Sequence, residues 1–387
     1  MHAEDADGLR LVAHHDLGGF GDGMQIMRHH DALYVAHFGP SGMGTSILDV
    51  SRIDAPVLVD QWRAPAGTHT HKTQVADDLL LVNYERFRSE SWEAGMAVYD
   101  VAEPFAPRRI GFWECGGLGV HRIVWEGGRY AYVSATLDGF EDRIWVIVDM
   151  SDPEQPVEAG RWWWPGQNTG AGEVPDWPEG QSWNTHHAMV SGDRAYVGFW
   201  DGGLVILDIS DISHPAVVSH LNWDEGGNTH TALPLEGRNL LAVTDEALAN
   251  DCDEPPHMVR IVDISDERNP EVVSICPVPE GDFCDRGLRF GAHNLHENRP
   301  GTYRSAEVLF VTYFNGGLRV YDVADAAHPR ELAHYIPQCP PQQPAIQIND
   351  VFVDTELNIF VTDRVNGGLY VLAADEALTS RLVAASL

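Results

Sequence analysis

Short apolar runs recur along the whole chain at a nearly constant interval. Six of them close with Asp, at residues 46–49, 97–100, 146–149, 205–208, 260–263 and 319–322. A seventh run at 369–372 is followed by Ala373, and the spacings from one closing residue to the next are 51, 49, 59, 55, 59 and 51 residues. Runs of this length and composition predict β-strands. Self-similarity at this period predicts the blades of a β-propeller.

Each repeat offers four strand candidates. The Asp-closed run is the third strand, an apolar run such as 79–82 is the second, and a segment after proline such as 156–160 is the fourth. Glycine pairs before the third strand fit a tight turn with positive φ. We therefore predict one all-β domain over residues 1–387, a seven-bladed propeller with four antiparallel strands per blade. The approximate blades are 22–66, 67–116, 117–163, 184–222, 228–277, 291–337 and 347–375.

The two ends of the chain both contain candidates for an additional outer strand. Residues 8–14 and residues 380–385 each have the composition of an outer strand. We expect residues 8–14 to complete the last blade and close the ring, and we expect negligible helix.

Two of the repeats carry a recognisable motif. The segments 146–156 and 260–270 both contain Ile-Val-Asp, followed by Ser-Asp and a proline. They resemble the LVIVD repeat of bacterial β-propeller proteins, and weaker copies extend over roughly residues 22–375. The resemblance implies a propeller fold and says little about function, because one fold supports many chemistries.

Histidine occupies one position in five successive repeats, shortly before the second strand. The five residues are His71, His121, His186, His230 and His293. Counting back from the apolar runs places Asp350 in the same position of the seventh repeat and Gln25 near it in the first. The first strand of a propeller blade lines the central channel, so we expect these side chains to form a ring. Imidazole is a common transition-metal ligand, and the ring therefore predicts a metal site with Fe(II) favoured and Cu, Mn or Zn as alternatives.

Three residues are candidates for acid–base chemistry beside the ring. Lys72 is the single lysine of the chain and follows His71, so it could donate to a bound oxyanion. Asp350 and Glu85 could act as acid or base. The alternative is a structural role, in which the channel histidines only form hydrogen bonds with water and neighbouring carbonyl groups.

Two further histidines are adjacent to ring members. His69 shares the face of His71 in an extended strand, and it is a candidate ligand or hydrogen-bond donor to a ligand. His187 follows His186, and strand alternation predicts that it points away into the blade.

A long aromatic insertion precedes His186. It runs from residue 162 to residue 183 and includes Trp164 and Trp183. Long loops in compact domains are often functional. We expect this loop to cover a small, partly apolar organic substrate.

Charge and composition exclude several classes of partner. The chain has 58 acidic and 25 basic side chains, a net charge of −33, which disfavours nucleic-acid binding. No apolar stretch approaches the ~20 residues of a membrane span, and the N-terminal residues lack the pattern of a signal peptide. Five cysteines without close pairing favour a reducing compartment. We expect a cytoplasmic protein with a small-molecule substrate, and the oligomeric state stays open.

These observations favour a metal-dependent oxidoreductase or oxygenase. Ligation by His alone suits divalent iron with positions open for oxygen. A metal-dependent hydrolase or lyase is the second interpretation, because a bound metal also activates water. A non-enzymatic propeller that serves as a binding scaffold is the third.

Overall fold

The computed structural model describes residues 4–38, 42–86, 93–223 and 227–387. Nearly half of the chain is β-strand and 5% is helical, so the all-β prediction is confirmed. Within the described residues, the strands form five four-stranded sheets and one nine-stranded sheet, all antiparallel. Sheet 1 consists of Gly23–His29, Ala32–His37, Met43–Asp49 and Val57–Arg63.

The nine-stranded sheet contains two sets of four strands, called sheets 2 and 3 below. Sheet 2 consists of Thr73–Ala76, Leu79–Arg86, Gly95–Asp100 and Arg108–Glu114, and Thr68–His69 also pairs with its second strand. Sheet 3 consists of Gly119–Val124, Tyr130–Thr136, Arg143–Asp149 and Val157–Trp162. A pairing between Gly119 and Glu85 joins the two sets.

Sheets 4 and 5 repeat the same up-and-down order. Sheet 4 consists of Ala188–Ser191, Arg194–Gly198, Leu204–Asp208 and Ala216–Leu221. Sheet 5 consists of Thr229–Leu235, Leu240–Asp245, Val259–Asp263 and Glu271–Ile275. Short 3-10 turns lie at Leu17–Gly19, Thr169–Ala171 and Phe283–Arg286.

Sheets 6 and 7 combine strands from both ends of the chain. Sheet 6 consists of Val308–Thr312, Leu318–Asp322, Arg330–Ile336 and Asp5–Asp7. Sheet 7 consists of Ile348–Val353, Ile359–Asp363, Gly368–Ala374 and Leu9–His15. The N-terminal strand Leu9–His15 thus pairs with the last repeat of the chain.

The core lies between neighbouring sheets. Tyr34 and Ile47 of sheet 1 pack against Leu80 and Val82 of sheet 2, and all four are at most 2% exposed. Middle strands are covered on both faces, which explains why their apolar runs are continuous instead of alternating. Burial of each such side chain contributes about 1.5–3 kcal/mol.

The C-terminal segment is a helix and not a strand, which corrects the expectation for residues 380–385. The helix Glu376–Ala384 begins at Asp375, whose side chain accepts a hydrogen bond from the Leu378 amide. This cap satisfies a free N-terminal amide of the helix. Leu378 and Leu382 are buried against the core of sheets 6 and 7. No helix in the described part of the chain has the length and apolarity of a membrane span.

One disulfide connects two loops near the end of sheet 5. Cys252 pairs with Cys284 across 32 residues, whereas Cys115, Cys276 and Cys339 are free thiols. The cysteine count did not predict this pairing, because the two residues are 32 positions apart in sequence and only the fold brings them together.

Candidate metal centre

An irregularity of the first strand positions the site in every sheet. In sheets 3, 5 and 7 the register between first and second strands shifts by one residue, between Val120 and Arg122, Thr229 and Thr231, and Ile348 and Asp350. Two residues then oppose one, which is a β-bulge. His186 and His187 likewise oppose Gly198. The His186 amide donates to the Gly198 carbonyl at 2.8 Å, and the Gly198 amide donates to the His187 carbonyl at 2.9 Å.

The bulge fixes two equivalent positions in each sheet. The first bulge position holds Met24, His71, His121, His186, His230, His293 and Asn349. The second bulge position holds Gln25, Lys72, Arg122, His187, Thr231, Asn294 and Asp350. A bulge redirects side chains that would otherwise alternate between the two faces of a strand.

The five histidines of the repeated position come together at one cavity. The centroids of successive rings, from His71 through His121, His186 and His230 to His293, are 4.9, 4.8, 4.1 and 4.5 Å apart. All five line the same cavity of about 170 Å³. Residues separated by more than 200 positions in sequence therefore form one cluster.

Hydrogen bonds fix the orientation of three of these rings. The Nδ1 atom of His121 donates to Glu85 Oε2 at 2.8 Å, and that of His293 donates to the Asn349 carbonyl at 2.9 Å. His230 Nδ1 lies 2.7 Å from the Thr231 hydroxyl. A proton on Nδ1 leaves Nε2 as the free lone pair, and metal-binding histidines are commonly held in this way by a second hydrogen-bonded group.

The free nitrogen atoms converge on a carboxylate. Glu246 is buried, with its oxygens 3.9 Å from His230 Nε2 and 3.6 Å from His293 Nε2. Ligand atoms of His186, His230 and Glu246 all lie within 4.8 Å of one another. His230 Nε2 is buried without a hydrogen-bond partner in the described structure. A buried imidazole nitrogen without a hydrogen-bond partner lowers the free energy of unfolding unless a ligand binds it.

One further distance fits a shared ion. The Nε2 atoms of His121 and His186 are 3.0 Å apart. Metal–nitrogen bonds are ~2.1 Å long, which places two ligands at a right angle roughly 3 Å apart. The donor atoms of His186, His230 and Glu246 therefore lie close enough together to fit one transition-metal ion, with His121 beside His186 and His293 beside Glu246.

Aromatic rings stack on two of the histidines. Trp200 stacks on His186 with centroids 5.0 Å apart and an angle of 25°, and Phe314 stacks on His293 at 4.7 Å and 20°. Both aromatic residues lie two positions after the residue opposite the bulge in their own sheets. Stacking restricts ring rotation and preorganises the site.

Burial keeps the ring histidines neutral. It lowers the pKa of His121 to about 4, although Glu85 acts in the opposite direction. Burial also holds the pKa of His71, His186, His230 and His293 well below the usual value, and neighbouring cationic or imidazole groups add to the effect. Neutral imidazole is the form that binds a metal.

Glu246 was not among the predicted site residues, although the sequence contains a signal for it. It stands three residues after the apolar run 240–243, as Glu85 stands three residues after the run 79–82. The corresponding position holds Arg364 in sheet 7 and Phe38 in sheet 1, and both line the cavity. Comparing the residues that follow each second strand would have identified this set.

Asp350 and Gln25 lie below the ring and do not line the cavity, which corrects their predicted position. Both occupy the second bulge position, because Asn349 and Met24 take the first. Asp350 Oδ2 accepts the Ile26 amide at 2.9 Å, and burial raises the pKa of Asp350 to about 7. The Gln25 side chain accepts the Thr73 amide at 3.0 Å and donates to Glu297 at 3.2 Å.

His187 also departs from the prediction. His187 occupies the second bulge position and faces the same interior as Arg122 and Thr231. Arg122 donates to His187 Nδ1 at 3.1 Å, and Thr231 Oγ1 lies 3.0 Å from the same nitrogen. The bulge interrupts strand alternation, so the two consecutive histidines do not point to opposite faces.

Glu85 and His69 support the ring from one side. His69 Nε2 donates to Glu85 Oε2 at 2.6 Å, the oxygen that also accepts from His121. Burial acts to raise the pKa of Glu85, but His121 and His69 hold it well below the usual range. Glu85 is therefore placed to orient His121.

Lys72 lines the cavity although it occupies the second bulge position, unlike Asp350 and Gln25. It is 2% exposed, and its backbone amide donates to Asn83 Oδ1 at 2.7 Å. Burial, followed by the nearby Arg122, lowers the pKa of Lys72 well below its ordinary value.

Trp164 and Trp183 of the long insertion do not cover the cavity, which corrects their expected role. Trp164 and Trp183 pack against each other at 5.5 Å and against Phe199 and His220. Neither lines the cavity, whereas Trp200 does. Their apolar area completes the core beside sheet 4.

Comparison with solved structures supports the propeller-like fold. The periplasmic gluconolactonase of Pseudomonas aeruginosa, a propeller, is similar with a TM-score of 0.60 and 11% identity over 87% of this chain and 93% of that chain. A functionally unknown protein from Desulfotomaculum acetoxidans DSM 771 has a TM-score of 0.53 and 9% identity, covering 92% and 90%. The computationally designed protein Ika8 has a TM-score of 0.50 and 10% identity, covering 93% and 87%. Identities this low show the fold alone.

Sequence comparison gives a family but no curated relative. No curated protein matches the chain. The family model described as the LVIVD repeat matches residues 121–162 and 184–222, which contain nearly all of sheet 3 and the whole of sheet 4. These two segments therefore match the LVIVD repeat, which confirms the resemblance that the Ile-Val-Asp motifs indicated.

Proposed function

We propose that the seven sheets are the blades of one closed propeller. Support comes from hydrogen bonds between successive repeats: Asn83 Nδ2 donates to the Val120 carbonyl at 2.8 Å, His293 Nδ1 donates to the Asn349 carbonyl at 2.9 Å, and Asp350 accepts from the Ile26 amide at 2.9 Å. The last contact joins the seventh sheet to the first. A ring of blades leaves only short, protected strand edges.

We further propose that the cavity holds a transition-metal ion. His186, His230 and Glu246 would bind it, and His121 and His293 are further candidate ligands beside them. Fe(II) is the favoured ion, with Cu, Mn or Zn as alternatives. Such an ion would supply Lewis-acid and one-electron redox chemistry. Glu85 and the Asn349 carbonyl accept from Nδ1 of His121 and His293 and so leave the Nε2 atoms free for an ion, and Lys72 lines the cavity, where it could donate to an oxyanion.

Among reactions, oxygen-dependent oxidation of a small organic molecule fits this donor set best. The main support for this proposal is that the ligand atoms of His186, His230 and Glu246 lie within 4.8 Å of one another. Two histidines and one carboxylate with open positions are typical of non-haem iron oxygenases. His71 lines the same cavity on the other side of His121 and could bind the ion or a ligand beside it.

A hydrolase or lyase is the second candidate, and Glu246 is the observation that favours it. Two histidines and one glutamate also form catalytic zinc sites, in which the metal activates a bound water. The two readings share the ligands and differ in the metal.

Metal analysis of untagged protein tests the site itself. We expect about one transition-metal ion per chain by plasma mass spectrometry, and at least a tenfold loss of metal in His186→Ala, His230→Ala and Glu246→Gln. His328→Ala is the matched control, because its side chain is 83% exposed and pairs only locally with Asp325. Equal metal content in all four variants, or a metal-free native protein, would leave only the non-enzymatic scaffold interpretation.

Oxygen dependence separates the two reactions. With a responsive substrate, we expect turnover to stop under nitrogen and the product to take no oxygen from ¹⁸O-labelled water. Full anaerobic turnover with label from water would assign hydrolysis or hydration instead.

A further inference from the structure

The cavity above the histidine ring is cationic, although the chain as a whole is strongly acidic. Arg143, Arg289 and Arg364 line it, against the single carboxylate of Glu246 among its described lining residues. In the whole chain acidic side chains outnumber basic ones by 58 to 25. A bound metal ion would add positive charge. A partly enclosed site of one charge sign attracts ligands of the opposite sign.

The three arginines differ in how they are paired. Arg289 Nη1 donates to Glu246 at 3.1 Å, and Arg143 Nε donates to the Asn184 side chain at 2.8 Å. The Arg364 guanidinium makes no hydrogen bond or ion pair with any other described residue, and its ring contact is with Phe38, with 5.4 Å from guanidinium carbon to centroid. Burial and the nearby Arg289 lower the pKa of Arg364 to about 10, so it stays charged at neutral pH. A partly buried, unpaired guanidinium is suited to a carboxylate ligand.

Four apolar side chains also line the cavity, and the space is small. Met24, Phe38, Trp200 and Leu248 line the cavity together with the arginines. Its volume of about 170 Å³ equals that of roughly five or six water molecules. A ligand must therefore be small and must combine an anionic group with an apolar part.

We propose that the substrate is a small organic carboxylate, with its carboxylate on Arg364 and Arg289 and its apolar part against Phe38 and Trp200. This inference rests on the proposed function, because it concerns the same cavity. It narrows the substrate to one chemical class, for which planar, two-pronged guanidinium groups are the matching donors.

Calorimetric titration with 3-methylbutanoate tests the proposal. The protein is titrated both metal-loaded and metal-stripped, because a carboxylate also binds metals directly, and the neutral amide 3-methylbutanamide and inorganic phosphate serve as comparison ligands. We expect saturable binding of the carboxylate to both forms, with the amide and phosphate at least tenfold weaker.

Variants assign the binding to the arginine. Arg364→Gln should weaken carboxylate binding at least tenfold, and Arg364→Lys, which keeps the charge, should weaken it less; circular dichroism checks that both are folded. Arg52→Gln is the matched control, since the Arg52 side chain is 72% exposed. It should bind within twofold of wild type.

Several outcomes would overturn the proposal. They are equal binding of carboxylate and amide, tighter binding of phosphate, unchanged affinity in Arg364→Gln, or no saturable binding of 3-methylbutanoate, butanoate or acetate. Metal present without carboxylate binding refutes this inference alone. Carboxylate binding by a protein that holds no metal refutes the metal centre alone.

Discussion

The chemistry of single residues in this site depends on which nitrogen of each imidazole carries the proton. Glu85 and the Asn349 carbonyl each accept a hydrogen bond from an Nδ1 atom, of His121 and His293 respectively. Their Nε2 atoms therefore face the cavity as acceptors. This arrangement requires neutral rings, and burial supplies the energy that keeps them neutral.

Acid should destabilise the metal-free protein through His121. An unfolded chain protonates this residue near pH 6.5, whereas the folded protein does so near pH 4 because the ring is buried. Between these values the unfolded state holds more protons, so the free energy of unfolding falls as pH falls from 6.5 to 4. At about 1.4 kcal/mol per pKa unit, His121 accounts for about 3 kcal/mol.

Asp350 changes the free energy of unfolding in the opposite direction, because its pKa is raised to about 7 in the folded protein. A variant of His121 is therefore needed to isolate the contribution of that residue. Urea unfolding of chelator-treated protein should give His121→Gln a flatter pH dependence than wild type between pH 6.5 and 4. His328→Gln should keep the wild-type slope. Parallel curves for wild type and His121→Gln would contradict the predicted neutral state.

At the scale of elements, glycines in the tight turns between strands differ in how closely other backbone atoms approach them. Gly317 has φ +79°, and a Cβ atom there would stand 2.3 Å from the Tyr335 carbonyl oxygen of the neighbouring strand. Gly192 also has positive φ, at +55°, but a Cβ there would meet nothing within 4 Å. A substitution at Gly192 therefore tests backbone strain alone, whereas a substitution at Gly317 tests backbone strain together with a steric clash.

Gly317→Ala should be clearly more destabilising than Gly192→Ala. Positive φ alone costs an alanine about 1–2 kcal/mol, so Gly192→Ala should lose about that amount. Gly317→Ala must in addition displace backbone, and we expect a loss of more than about 3 kcal/mol in urea unfolding, as for other severe backbone clashes. Equal losses in the two variants would show that the close approach at Gly317 is easily relieved.

At the scale of the whole molecule, the Cys252–Cys284 disulfide connects two segments that build the cavity. Cys252 lies in the loop after Glu246, and Cys284 lies just before Arg289. Glu246 and Arg289 contact each other at 3.1 Å. The crosslink therefore restrains the pairing of the carboxylate with one of the cavity cations.

Removing this disulfide should lower stability and weaken the site together. For a closed loop of this length the chain-entropy model gives about 3–4 kcal/mol. We expect the double variant Cys252→Ser, Cys284→Ser to lose about that much in urea unfolding and to retain metal less well during dialysis. Cys115→Ser removes a free thiol and is the control. An unchanged unfolding midpoint under reducing and oxidising conditions would contradict the prediction.

The sequence by itself determined the repeat and the residues of the ring. Asp-closed apolar runs at a regular spacing can bury their side chains only as stacked sheets, and a histidine before each of five second strands must then reach the same end of the molecule. Hydrophobic period and register are local properties, so the chain reveals them without coordinates.

Only the tertiary structure decided which neighbours join the histidines. The bulge depends on how first and second strands pair, so simple alternation misplaced His187 and simple counting misplaced Asp350. Glu246, Arg289 and Arg364 reach the cavity from different sheets and loops, and Trp164 and Trp183 find an apolar core instead of the cavity. Distances between such segments are set by the packing of sheets against one another, which no local pattern of residues specifies.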